Sequence, residues 1–150
     1  MVKADAKSLG GKDAFFVVDG SAFIFRAYHA IRRLSNSAGV ATNAAFGFTA
    51  MLLKIAKDYE PGYLAVAFDP PGGSFRNREY APYKAHRPPP PDDLIPQFGF
   101  CREIVEAFNI ASLEVAGFEA DDVIATVTRE ATARPSSSTT RSSGSGRSRP

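Results

Sequence analysis

The 150-residue sequence has one cysteine, no tryptophan and no long apolar run. With Cys101 alone, an intramolecular disulfide and a thiolate zinc cage are both excluded. A reducing compartment is the simplest reading, and a cytoplasmic location is expected. No apolar stretch approaches the roughly 18 residues of a membrane span. Lys3, Lys7 and Lys12 precede the short apolar run 14–18, but that run is too brief for a signal-peptide core and reads as a strand. Core-forming material is not lacking: the chain is 44% hydrophobic, and a single domain of this size buries roughly 70% of its unfolded surface.

Acid is missing altogether from residues 132–150, which carry Arg134, Arg141, Arg147, Arg149 and seven serines. Removing those four from the 18 basic residues leaves 14 against 16 acids, so residues 1–131 are net −2 although the whole chain is +2. The basic balance belongs to the tail, and no claim about nucleic acid rests on it. A segment without aromatics or large aliphatics cannot offset its ordering entropy, so 132–150 is expected to be disordered. Residues 1–12, polar and glycine-containing, are expected to form a flexible arm. That leaves 13–131 as the folded domain.

Within 13–131 the periodicity alternates in kind. The apolar run 14–18, ending at Asp19-Gly20, suits a buried parallel strand. Residues 21–34 space Phe23, Ala27, Ala30, Ile31 and Leu34 as a helix does, and a polar loop follows. Thr42 or Asn43 can cap the next helix, 44–59, which Pro61-Gly62 stops. Residues 63–68 read as a second buried strand ending at Asp69. After an irregular stretch over 70–91, a helix is expected from Asp92-Asp93 to about Phe108, with Pro96 shifting or kinking its start. A weaker strand over 112–115 and a helix from Glu119 to about Ala131 complete the order. Alternating strands and helices predict an α/β fold, a parallel sheet flanked by helices.

Ligands of open α/β sheets bind beyond the carboxyl ends of the strands. Asp19 and Asp69 close the first two strands, and Glu119, Asp121 and Asp122 follow the third. Singly, each has a simpler explanation: a turn aspartate, or acids favoured by a helix N-terminus. Together they are harder to dismiss, because nothing structural requires acid at all three strand ends. Five carboxylates on one edge repel unless a cation sits among them. Hard oxygen donors without His or Cys favour Mg²⁺ or Mn²⁺ and metal-assisted phosphoryl chemistry. Since Mg²⁺ takes only one or two carboxylates plus water, five acids suggest more than one ion or a supporting role for some.

The stretch 75–87, FRNREYAPYKAHR, interleaves Arg76, Arg78, Lys84 and Arg87 with Phe75, Tyr80 and Tyr83. Cations beside stacking rings make a surface for single-stranded nucleic acid. A solvated loop with its rings tucked against the core is the competing reading. Arg26, Tyr28 and His29 stand within a turn or two of Asp19 and are ambiguous, and His29 and His86 are left out of the chemistry.

The strings VVDGSAFIFRAYHA, AFDPPGGSFRNREYAPYKAHRPPPPDDL and LEVAGFEADDVIATVTREA resemble the structure-specific 5′-exonuclease and flap endonuclease family. The likeness is to the resolvase-like (PIN-like) 5′-nuclease domain at the N-terminus of bacterial DNA polymerase I. The resemblance spans about 13–131, and its E-A-D-D and Y-K-x-x-R-P motifs are highly specific. It implies a DNA phosphodiester hydrolase of replication and repair that uses Mg²⁺ or Mn²⁺, acts at a 5′ end or flap, and is normally fused to a polymerase domain. By resemblance, Asp19, Asp69, Glu119, Asp121 and Asp122 fall on metal-binding carboxylates. Lys84 and Arg87 fall on the helical arch, and Arg26 and Tyr83 near the scissile phosphate. Lys84 and Arg26 are thereby implied as catalytic, with Arg26, Tyr83, Lys84 and Arg87 on DNA, and the basic stretch itself adds Arg76 to the DNA-binding set. After about residue 131 the family pattern of a further strand with metal-binding aspartates and a duplex-gripping element gives way to the Ser/Arg tail. The expectation is an incomplete, impaired nuclease module, with a non-catalytic DNA-binding remnant or a nonfunctional truncated product as the alternatives.

Overall fold

The computed structural model describes residues 10–80, 82 and 88–133. Its elements run β1 (Phe15–Asp19), α1 (Gly20–Ala30), α2 (Asn43–Tyr59), β2 (Tyr63–Ala67), α3 (Phe75–Glu79), α4 (Ile95–Ala107), β3 (Ala111–Leu113) and α5 (Ala120–Ala133). The strands form one parallel sheet in the order β1-β2-β3. Asp19 pairs with Ala67, and Ala67 with Leu113, so the three carboxyl ends finish flush along one edge. The parallel sheet flanked by helices is therefore as the sequence predicts.

Alternation along the strands divides the two faces. Val18 and Val66, register partners, point into a core shared with Ile24, Phe48, Leu52, Leu94, Cys101 and Val105 from α1, α2, α4 and the turn before α4. Phe48 and Phe68 are fully buried with ring centroids 6.5 Å apart. Each such side chain contributes about 1.5–3 kcal/mol by leaving water. The opposite face is covered by α5, where Phe15 and Val17 look across a cavity of about 590 Å³ at Ile124 and Thr128. Gly47 lets α2 approach α1 closely: a Cβ there would stand 2.8 Å from that of Ala27 and 2.9 Å from Ile31 Cγ1.

Several boundaries differ from the sequence reading, for non-local reasons. Helix α1 stops at Ala30 rather than Leu34, because Ile31 turns extended. The Asn43 side-chain amide donates to the carbonyls of Tyr28 and Ile31 there. Thr42 stands at the N-cap position of α2, but its side chain makes no capping hydrogen bond. The first amides of the helix, from Ala44 and Ala45, donate instead to Oε1 of the fully buried Gln97, at 2.8 and 3.2 Å. Helix α4 begins at Ile95, with Pro96 in its first turn, where its missing N–H goes unneeded. Helix α3 occupies the stretch read as irregular, and β3 starts one residue earlier and ends two residues earlier than expected.

Residues 10–12, assigned to the arm, are tied down: Gly11 donates to the Tyr59 carbonyl and accepts from Gly62. Helix α5 runs on to Ala133, past the expected boundary at 131. The rest of the arm (1–9) and of the tail (134–150) lies outside the described residues.

Candidate metal centre

The flush strand ends bring four of the five predicted acids to one place. Asp19, Asp69, Glu119 and Asp121 line a cavity of about 270 Å³, with Ser21, Ala22, Phe25 and Ala120 completing its wall. Asp19 is the last residue of β1 and the N-cap of α1, its Oδ1 accepting from the Ala22 amide at 2.9 Å. Asp69 follows β2 by two residues, and its Oδ1 accepts from the first amide of α5, that of Ala120, at 2.9 Å. Two helix N-termini thus open onto the cavity, and their dipoles partly offset the gathered negative charge.

Glu119 is the most enclosed acid, 9% exposed, and its Oε1 accepts from Ser74 Oγ at 3.1 Å. Burial pushes the Asp19 carboxyl above the usual carboxylate range, and repulsion from Asp69 and Asp121 adds to it, while the Ala22 hydrogen bond opposes the shift. The acids therefore feel one another.

Asp122 does not line the cavity. Its carboxylate takes a two-pronged ion pair from Arg76, at 2.6 and 2.7 Å, and accepts from the Glu119 amide at 3.1 Å. That last bond is the reciprocal half of a capping box, returning from the third residue of α5. Arg76, predicted to face DNA, is here a partner of the acids, also 3.8 Å from Glu119 Oε2. Arg26 is exposed on α1, its guanidinium 5.6 Å from the Phe23 ring centroid, and does not line the cavity. Tyr83, Lys84 and Arg87 lie outside the described residues.

The donor set fits a hard divalent cation: carboxylate oxygens, no nitrogen or sulfur, and room for water. Among the described residues, no group of three or more acids, histidines or cysteines is gathered closely enough to hold one ion. Mg²⁺ asks for less, since it is usually held by one or two carboxylates with several waters.

Sequence reading missed Arg102. Its Nη2 donates to the Asp69 carbonyl at 3.2 Å and to Glu114 at 2.8 Å, while the guanidinium sits 4.8 Å from the Phe68 ring centroid. It fixes the backbone that presents Asp69. No local signal marks it, because its partners are remote in sequence.

Comparison with known proteins agrees with this architecture. The chain is 44% identical over 142 residues to DNA polymerase I of Rhizobium leguminosarum, covering 87% of this chain and 14% of that protein. It is 44% identical over 110 residues to the 5′-3′ exonuclease of Aquifex aeolicus, covering 73% of this chain and 38% of that one. The chain thus spans well under half the length of these relatives. Among solved structures, the T5 D15 protein co-crystallised with metal ions aligns with a TM-score of 0.53 at 25% identity, over 75% of this chain and 42% of that one. The family model described as the 5′-3′ exonuclease, N-terminal resolvase-like domain matches residues 14–143, and the chain belongs to that family.

Proposed function

We propose that this domain contributes the first carboxylate cluster of a divalent-metal 5′-3′ exonuclease or flap endonuclease acting on DNA in the cytoplasm. The observation that carries the reading is the convergence of Asp19, Asp69, Glu119 and Asp121 on one cavity at the carboxyl edge of the sheet. These four would hold Mg²⁺ or Mn²⁺, with Asp122 supporting them from behind. Bound ions of this kind supply Lewis-acid activation of water and neutralise phosphate charge.

The chain's own residues do the rest. Both helix N-termini and the hydrogen bonds to Asp19, Asp69 and Glu119 hold the acids in place before substrate arrives, so little reorganisation is needed. Phe25, on the cavity wall, gives that wall an apolar side. In this reading Lys84 and Arg26 would steady the charge that develops on the phosphate. Tyr83 and Arg87 would lie along the path of a DNA 5′ end, whereas Arg76 is engaged by Asp122. The polymerase named in the relatives would be the natural fused partner.

The test is a labelled 5′-flap duplex with Mn²⁺, comparing the wild type with Asp121→Ala. Metal-dependent product that Asp121→Ala abolishes is expected. DNA binding without cleavage, unchanged by removing metal, would favour a binding module instead.

A further inference from the structure

The carboxylate that stands apart from the cavity is held by the first charged residue of the basic stretch. Arg76 lies on α3 and Asp122 in the first turn of α5, 46 residues apart in sequence. The pair is two-pronged, the geometry in which a guanidinium fixes orientation as well as charge. Both side chains are partly buried, Arg76 at 34% exposure and Asp122 at 25%. The same guanidinium is 3.8 Å from Glu119 Oε2, whose other oxygen is taken by Ser74.

The surroundings make this a rigid joint. Ser74 bridges to Gly117 in parallel fashion, and the Phe75 amide donates to the Gly117 carbonyl at 2.7 Å. The Phe75 ring packs on Phe118 at 5.6 Å, and Arg76 lies 4.7 Å from the Phe75 ring centroid. Two consecutive side chains, Ser74 and Phe75, therefore grip the loop before α5 while Arg76 grips its first turn.

We propose that Arg76 is a positioning residue of the acidic centre: through Asp122 and Glu119 it fixes the orientation in which Glu119 faces a divalent ion. The inference rests on the metal-site reading above and assigns Arg76 a role toward the acids. Asp122 then acts through Arg76 and the capping box, as the partner that holds the guanidinium. A joint between the acids and the start of the basic stretch also sets where that stretch leaves the fold.

The experiment is a double-mutant cycle read by Mn²⁺ affinity, using calorimetry and the Mn²⁺ paramagnetic resonance signal, with melting temperature measured alongside. Partners that orient a metal ligand are commonly worth 10–100-fold in affinity. Arg76→Met is therefore expected to weaken Mn²⁺ binding by about that factor. Asp122→Asn keeps an acceptor for the Glu119 amide but loses the ion pair, and is expected to weaken it similarly. The double variant should lose no more than either single, because the pair acts as a unit. Arg76→Lys keeps the charge without the fork, and an intermediate affinity at unchanged melting temperature is expected.

Equal or tighter binding by Arg76→Met overturns the proposal, since removing a mere competing cation does just that. Additive losses overturn it too, because they make Asp122 an independent ligand. Where Arg76→Met does not melt cooperatively, Arg76→Lys decides: unchanged affinity refutes, a fall supports. The parent reading fails separately, if the wild type binds no Mn²⁺ or Asp121→Ala binds it equally well.

Discussion

Asp19→Asn separates the acidic centre's role in stability from its role in binding. In the metal-free protein, burial and the neighbouring Asp69 and Asp121 raise the Asp19 pKa above its unfolded value. A carboxyl shifted upward on folding favours the fold below its unfolded pKa, and that benefit is lost as pH rises through the folded value. At neutral pH the ionised Asp19 is therefore a net burden. Asparagine removes the charge and keeps the cap, since its side-chain oxygen also accepts from the Ala22 amide, and Asn caps about as well as Asp.

The site is half-open to solvent, so the relief is screened to the size of an exposed charge interaction, about 0.5–1 kcal/mol. For a domain of this size that is a rise of about 2–6 °C in Tm. Asp19→Ala also loses the cap, about 1 kcal/mol, and should be neutral or worse. In saturating Mn²⁺ the order should reverse, because a ligand at 100 times its Kd adds about 2.7 kcal/mol to whichever protein binds it. The assay is thermal unfolding of wild type and Asp19→Asn in chelator and in Mn²⁺, between pH 4 and pH 8. The variant's advantage should shrink toward acid pH and in high salt. A lower Tm for Asp19→Asn in chelator at pH 8, or an equal response of both proteins to Mn²⁺, would refute the reasoning.

Gly47→Ala drives a methyl to within 2.8 Å of Ala27 Cβ, between two packed helices, and is expected to destabilise by about 1–3 kcal/mol in chemical denaturation. Gln97→Leu leaves the amides of Ala44 and Ala45 without their buried acceptor and should lose about 2–4 kcal/mol by the same assay. Burial pushes the Cys101 thiol up to about 12, so it should resist iodoacetamide in the native protein and react at the rate of global unfolding. Reversing Lys84 and Arg87 to Glu should weaken single-stranded DNA binding and flatten its salt dependence, measured by fluorescence anisotropy. A chain ending at Ala133, assayed alongside, isolates any contribution from the tail arginines.

The sequence by itself determined what short-range chemistry controls. Apolar runs of strand length, helical spacing in α1, α2 and α5, and an acid near each strand end were all legible, because each signal lies within a few residues of its consequence. The parallel order followed from alternation, and parallel order alone is enough to bring Asp19, Asp69 and Glu119 to one edge. Tertiary structure decided where α1 ends, because the groups that take its last carbonyls belong to Asn43. It decided what caps α2, because Gln97 arrives from 53 residues away. It also sorted the five acids, sending Asp122 to Arg76 while the other four face the cavity. An arginine in a basic stretch has the same local pattern whether it meets DNA or a carboxylate. The choice is made by which charge the fold brings within reach, and no window of sequence contains both partners.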